Sequence, residues 1–422
     1  MNFDLSAQQA EWVRRARELA VEFKQDARRV DESGDYPSAN MQKLRDGGFL
    51  KLAVPEEFGG LGTRAGWCSW LPHLVLEEIA AGCSNTGWAL LTHFHNCGVI
   101  SGIASDRQCA RFFSDVVENG ALIGSLGSEV SPQQMRAGAN VGRRITFEAG
   151  LEPVEGGFRA NAVKGFCSGG PVSDYLIYWA LAPGTSSNAE GLVICVVPRT
   201  SAGLSFLPGW EEAIGLRATH SGGAKLEDVF IPWDNVLGEP GDWVQKHHYT
   251  FELTYAVQLV GTAQGAYDFV LDLIRERPYL QQDDTVMYAI GAMSSKLQSA
   301  RTSWWLAQAM WTAERYDDAA HASMRALHVA KASAVDIINS AFDACGVRSV
   351  FKFNPIDRSW RDARTVTLHT RESQLMRLLA EGEVSGARFT KEKYGRRLDE
   401  FERKTWADVG LSRDAALTSD AP

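Results

Sequence analysis

The hydrophobic period of this chain switches twice, and that limits the fold to helices, then strands, then helices again. From about Leu5 to Ala110, Trp12, Ala16, Leu19, Ala20 and Phe23 fall at the three-and-four spacing of one helical face, with charged residues opposite. The run Val54-Pro55-Glu56-Glu57-Phe58-Gly59-Gly60-Leu61-Gly62 interrupts that pattern before an apolar helical stretch resumes near Leu71. Between about Ala121 and Leu237 the texture changes to short β-rich runs: Ala121 to Leu126, Tyr175 to Leu181, Gly191 to Val197 and Ala224 to Ile231. These predict a small antiparallel β unit. Helical periodicity returns from about Trp243 to Arg388, with Tyr255 to Ile274 and Met293 to Trp311 long enough for a bundle. The expected class is mainly α with a central β domain. The expected divisions are 1–120, 121–238 and 239–395, with residues 396–422 a mobile or subunit-draping tail.

Charge and motif content narrow the function. With 43 basic and 52 acidic residues and a net charge of -9, the chain has no electrostatic footprint for nucleic acid or an anionic membrane, so a small molecule is the expected partner. No apolar run approaches a membrane span and no secretion signal opens the chain, which predicts a soluble cytoplasmic protein. No GxGxxG fingerprint, P-loop, HExxH or GxSxG elbow occurs. The seven cysteines are scattered without a CxxC pair and read as buried thiols. His93 and His95, two residues apart, point to different sides of a helix, so no metal site is expected.

Several segments, in order over nearly the whole chain, resemble the acyl-CoA dehydrogenase superfamily. They are the Val54 to Gly60 turn, the stretch Leu216-Arg217-Ala218-Thr219-His220-Ser221-Gly222, and Leu226-Glu227-Asp228-Val229-Phe230-Ile231-Pro232. The resemblance implies an N-terminal helical domain, a middle β-barrel-like domain and a C-terminal four-helix bundle, with flavin between the latter two, in a homotetramer. Lys164-Gly165-Phe166-Cys167-Ser168-Gly169 with Ser173-Asp174-Tyr175, and Arg361-Asp362-Ala363-Arg364-Thr365-Val366-Thr367-Leu368-His369, are more similar to flavin-dependent monooxygenases of the dibenzothiophene monooxygenase type. Dehydrogenases of the superfamily place a proton-abstracting Glu near the position of His369, or seven residues before a Gly resembling Gly261. That second position holds Thr254 here. The chain departs from those relatives after His369, where Gly382 to Arg388 lacks their Pro.

On this resemblance His369 is expected to hydrogen-bond a C4a-peroxide of the flavin and Ser168 to contact flavin N5 or that peroxide. His93 is expected to orient substrate. Each has a competing reading, as a capping or buried imidazole, a turn serine and a core histidine respectively. Arg277 resembles a bundle arginine that reaches the flavin phosphates of a neighbouring subunit, or is a solvated helix-end charge. Gly127 and Ser128 offer backbone amides to the isoalloxazine edge, and Trp210 walls it. His220 reads as surface. The expected activity is transfer of one oxygen from O2, through reduced FMN or FAD supplied by a separate NAD(P)H-dependent reductase, to an electron-rich sulfur, nitrogen or aromatic carbon. The alternatives are an acyl-CoA dehydrogenase with a displaced base, Glu252 or Glu372, and a catalytically silent flavin-fold binding protein.

Overall fold

A computed structural model describes residues 4–64, 69–127, 150–243, 251–386 and 404–412. Among the described residues five helices open the chain: α1 (Ala7–Ser33), α2 (Ser38–Asp46), α3 (Trp70–Gly82), α4 (Ser84–Ile103) and α5 (Asp106–Asn119). Ser6 caps α1 and Ser105 caps α5, each in a reciprocal bond with the Gln three residues on, and αL glycines Gly34 and Gly120 close them. Helix α4 has no polar face: 19 of its 20 residues are buried, Ile103 among them and Gly102 the exception. A helix buried all round, its polar side chains hydrogen-bonded inside, belongs in an interior, and α4 accordingly lies between α3, the β unit and the C-terminal helices.

Eight strands follow among the described residues: β1 (Ile123–Leu126), β2 (Leu151–Val154), β3 (Gly157–Lys164), β4 (Tyr175–Leu181), β5 (Leu192–Pro198), β6 (Leu204–Leu207), β7 (Gly223–Pro232) and β8 (Val236–Leu237), with the one-turn α6 (Asn188–Gly191) before β5. They form two four-stranded sheets, ordered β1-β4-β5-β8 and β2-β3-β7-β6. The expected antiparallel unit is corrected in one place: β1 runs parallel to β4, pairing Ile123 with Tyr175, because α5 delivers the chain to that edge from the helical side. Alternation in β4 and β5 explains their continuous apolar runs. Ile177, Trp179, Ile194 and Val196 join the helical core, whereas Leu176, Tyr178, Ala180, Cys195 and Val197 fill the space between the sheets.

The C-terminal helices are α7 (Glu252–Arg275), α8 (Asp284–Thr312), α9 (Tyr316–Cys345), α10 (Ile356–Thr367) and α11 (Glu372–Ser385). Three long helices pack side by side, and α10 lies across α7 and α9. Gly261 admits α3 to within backbone contact of α7, since a Cβ there would sit 2.4 Å from the Glu77 carbonyl. The described part of the expected tail is neither free nor draped outward. Trp406 is 3% exposed between Phe158 and Trp233, and its indole N–H donates to the Gly238 carbonyl at 3.1 Å. Among the described residues no helix is long and apolar enough to cross a membrane, and no cluster of His, Cys, Asp and Glu could hold a metal ion. Of the cysteines, Cys68 lies outside the described residues; the other six are free thiols.

Candidate functional site

The chemistry-bearing residues gather where α4, α7, the end of α10 and the loops of the β unit meet. Residues Asn85, Trp88, Thr92 and His95 lie at spacings of three and four on one face of α4. Trp88 stacks on Tyr255 of α7, with centroids 5.6 Å apart and planes 10° from parallel. His369, just beyond α10, closes the group, its ring 4.4 Å from Trp88 and 5.6 Å from Tyr255. His369 is an exposed residue, although these aromatics crowd one side of its ring. That desolvation lowers its pKa from the ordinary value, opposed by bonds to the Thr365 and Val366 carbonyls.

Those carbonyls also fix its tautomer. His369 Nδ1–H donates to Thr365 O at 3.0 Å and Val366 O at 3.3 Å, so in the neutral ring Nε2 carries the lone pair. In this tautomer Nε2 can accept a hydrogen bond or a proton, and it can donate only once protonated.

Ser168 stands on the other side of Trp88, whose indole N–H donates to Ser168 Oγ at 3.4 Å. A chain of hydroxyls continues from it, Ser168 to Ser221 at 2.8 Å and Ser221 to Thr219 at 2.7 Å. The last link sets its polarity. Thr219 Oγ1 donates to the Leu216 carbonyl at 2.9 Å, so Thr219 accepts from Ser221 and Ser221 accepts from Ser168. Ser168 is left with an acceptor lone pair for a further N–H. Trp210 braces the same carbonyl through its indole N–H at 2.7 Å and meets Phe166 edge to face.

His93 is placed elsewhere. Its Nε2 lies 2.9 Å from the Leu50 carbonyl and its Nδ1 accepts from the Ile123 amide at 3.2 Å, so both nitrogens are occupied by backbone and none remains for a substrate. Burial pushes its pKa down to about 4. His95 is the imidazole that faces the group. Its Nε2 lies 2.5 Å from Thr254 Oγ1 and its ring packs on Phe251 and Tyr255. Desolvation, reinforced by His73 and His369 nearby, holds it neutral. The spacing of His95 from Trp88 on α4 was the available signal for this choice. His220 is not on the surface: half-buried at φ +46°, it accepts the Tyr36 amide at 3.1 Å and ties the β unit to α2.

Gly127 follows β1, against Trp179, where a Cβ would lie 3.3 Å from the indole; Ser128 lies outside the described residues. Arg277 follows the far end of α7, roughly 30 Å from Tyr255 by helical rise. It is half-buried beside Cys345 and forms no ion pair among the described residues. Of the two displaced carboxylates, Glu372 is taken by Lys331 at 2.7 Å and by His328 on the surface. Glu252 lies one turn before Tyr255, and its buried Oε2 has no hydrogen-bond partner among the described residues.

The arrangement suits a reduced flavin. An N–H donor such as flavin N5–H matches the acceptor that the hydroxyl chain leaves on Ser168, and the partly exposed Trp210 offers planar apolar surface.

Comparison with known proteins identifies the family of the whole chain. Residues 6–119 match the family model of the acyl-CoA dehydrogenase N-terminal domain and residues 253–374 that of the C-terminal domain. The chain is 29% identical over 383 residues to a dibenzothiophene monooxygenase of Rhodococcus qingshengii, covering 84% of this chain and 88% of the relative. It is 27% identical over 378 residues to a probable FMNH2-dependent monooxygenase, SfnC, of Pseudomonas putida, covering 84% and 90%. The crystal structure of FMN-bound TdsC from Paenibacillus sp. A11-2 superposes with a TM-score of 0.79 at 25% identity, over 91% of this chain and all of that one.

Proposed function

The chain belongs to the acyl-CoA dehydrogenase family, and from that premise we propose that it is a reduced-flavin-dependent monooxygenase. Reduced FMN or FAD, when bound, supplies the electrons that activate O2, and one oxygen atom goes to an electron-rich sulfur, nitrogen or aromatic carbon of a small aromatic substrate. Ser168 accepts from the flavin's N–H and is held by Ser221 and Thr219. His369 receives or returns a proton at Nε2. Tyr255, Phe251 and His95 form a substrate wall that excludes water, which an oxygen-activating flavin requires. A separate NAD(P)H-dependent reductase supplies the flavin, in keeping with a sequence that has no nicotinamide fingerprint. The position of Arg277, remote from this group, suits a phosphate contact to a second copy within a homotetramer.

The observation that carries the reading is Thr254. At a position where dehydrogenases of the family carry a base, this chain has a hydroxyl already bonded to His95. Oxygen transfer to sulfur or nitrogen needs no carbon acid base at that place. Glu252, with its buried oxygen partnerless among the described residues, is the one feature that favours dehydrogenation instead. The two readings separate by experiment. Oxidised flavoprotein mixed with acyl-CoAs in the absence of air keeps its flavin colour, whereas reduced FMN and isotopically labelled O2 place one labelled oxygen in an aromatic thioether, amine or indole. Bleaching by an acyl-CoA would overturn the proposal.

A further inference from the structure

The turn that carries Thr219 and Ser221 is held in an unfavourable shape. Leu216 and His220 stand at φ +51° and +46°, a region that side chains other than Gly rarely adopt. Asp362, on α10 and only 1% exposed, holds the first of them, its Oδ1 accepting from the Leu216 amide at 2.6 Å. Its Oδ2 accepts from Asn85 Nδ2 at 3.4 Å, while Asn85 Oδ1 accepts from the Ala218 amide at 2.9 Å. Arg361 adds a bond to the Ile214 carbonyl at 2.7 Å. At Gly215 the turn meets α10 so closely that a Cβ would lie 2.2 Å from the Arg361 carbonyl. Leu216 is also where the hydroxyl chain takes its direction, because its carbonyl receives Thr219 and Trp210.

We propose that Asp362 is a positioning residue: as a carboxylate it fixes the Leu216 to Ser221 turn and thereby aims the Ser221–Ser168 hydroxyl chain at Trp88. The inference rests on reading that group as the flavin site. Both bonds to Asp362 come from neutral N–H donors, so each carboxylate oxygen must accept. A proton on Oδ2 would set O–H against the Asn85 N–H. Rotating the Asn85 amide to accept it would turn an N–H against the Ala218 amide. The neutral acid keeps acceptor lone pairs but accepts more weakly, so protonation weakens the links to the turn and the strained turn relaxes.

The surroundings make that proton available near neutrality. Burial pushes the Asp362 carboxyl up to about 7, the Leu216 amide pulling it down and Asp31 of α1 pushing it further up. Arg361 and Arg358 of its own helix lower it, though Arg361 is bonded to Asp31 and Asp357 rather than to Asp362. Arg217 lies within the turn itself, and Cys83, at the start of α4, keeps its thiol protonated because burial raises its pKa. His220, within the turn, titrates below its ordinary value because burial disfavours its charge. The signs are opposed. In the folded chain Asp362 keeps its proton up to about pH 7, whereas unfolded it loses it near 3.8, so its contribution to global stability declines as pH rises through that window. Order in the turn instead increases.

Hydrogen exchange of residues 214–222 in the unliganded protein, corrected for intrinsic rates, reads this directly. From about pH 5.5 to about 8.5, protection of the Leu216 and Ala218 amides rises about tenfold through a one-proton step near 7, and Asp362→Asn stays at the low-pH level throughout. Affinity for oxidised FMN follows the same step in the wild type and is flat in the variant. Flat protection in the wild type overturns the proposal whether or not the variant folds, and so does full protection in D362N. Protection that steps as expected in a protein that fails to bind FMN would sink the flavin reading and leave the positioning role standing.

Discussion

Two histidines on one helix, separated by a single residue, have opposite tasks. His93 ties α4 to the backbone at Leu50 and Ile123, while His95 faces Thr254 and the aromatic group. Substituting His93 by Ala leaves the Ile123 amide and the Leu50 carbonyl unpaired in a dry interior and is expected to cost about 2–4 kcal/mol, read as a lower denaturant midpoint. His95→Phe keeps the ring volume and is expected to leave that midpoint nearly unchanged while raising KM severalfold. His93 and His73 also predict an acid limb of stability. Burial lowers both to about 4, below the unfolded value of 6.5, so the folded state binds fewer protons and stability is lost as pH falls from about 6.5 to about 4. Urea titrations across that range check the slope. His369 has its own signature, since Nε2 must be unprotonated to accept. With flavin saturating, turnover holds above pH 7 and falls below His369's lowered pKa. His369→Ala reduces it by about 100-fold or more at all pH values.

At the level of elements, the legible parts were those in which one physical rule acts alone. The face of α1 and the runs of β4 and β5 follow from periodicity, and Ser168 was singled out from its segment. The partners of Ser168 were not. Ser221 and Thr219 lie about fifty residues away, and their role depends on Leu216 adopting a backbone shape that side chains other than Gly avoid. Trp88 and Tyr255 looked like two more core aromatics until α4 and α7 were seen to cross beside His369. His93 was preferred over His95 because the sequence does not say which side of a helix buried all round meets the site. Trp406 was hidden in a charged tail, yet it fills the edge of the inter-sheet core. Trp406→Ala is expected to destabilise the β unit by about 3–5 kcal/mol, seen as a lower thermal midpoint, with little change at the aromatic group.

For the molecule as a whole, the order of helices, sheets and helices was readable because each change of period covers about a hundred residues. The parallel β1–β4 pair was not, since direction is set by where α5 delivers the chain. The large helical core joins α1–α5 to the C-terminal helices and to one face of β4 and β5, so the site sits at the meeting of all three units. The remote position of Arg277 makes assembly testable. Arg277→Ala is expected to weaken FMN binding about tenfold without changing the fold of the chain, and light scattering with wild-type protein is expected to give four copies. The central claim is that imidazole and hydroxyl groups, in place of a proton-abstracting carboxylate, shelter a reduced flavin while it reacts with O2. Rapid mixing of the protein and chemically reduced FMN with aerated buffer tests this without knowledge of the substrate. The account predicts a long-lived absorbance band distinct from reduced and oxidised flavin, much shortened in His369→Ala. Immediate return to oxidised FMN at the rate of the free cofactor would contradict it.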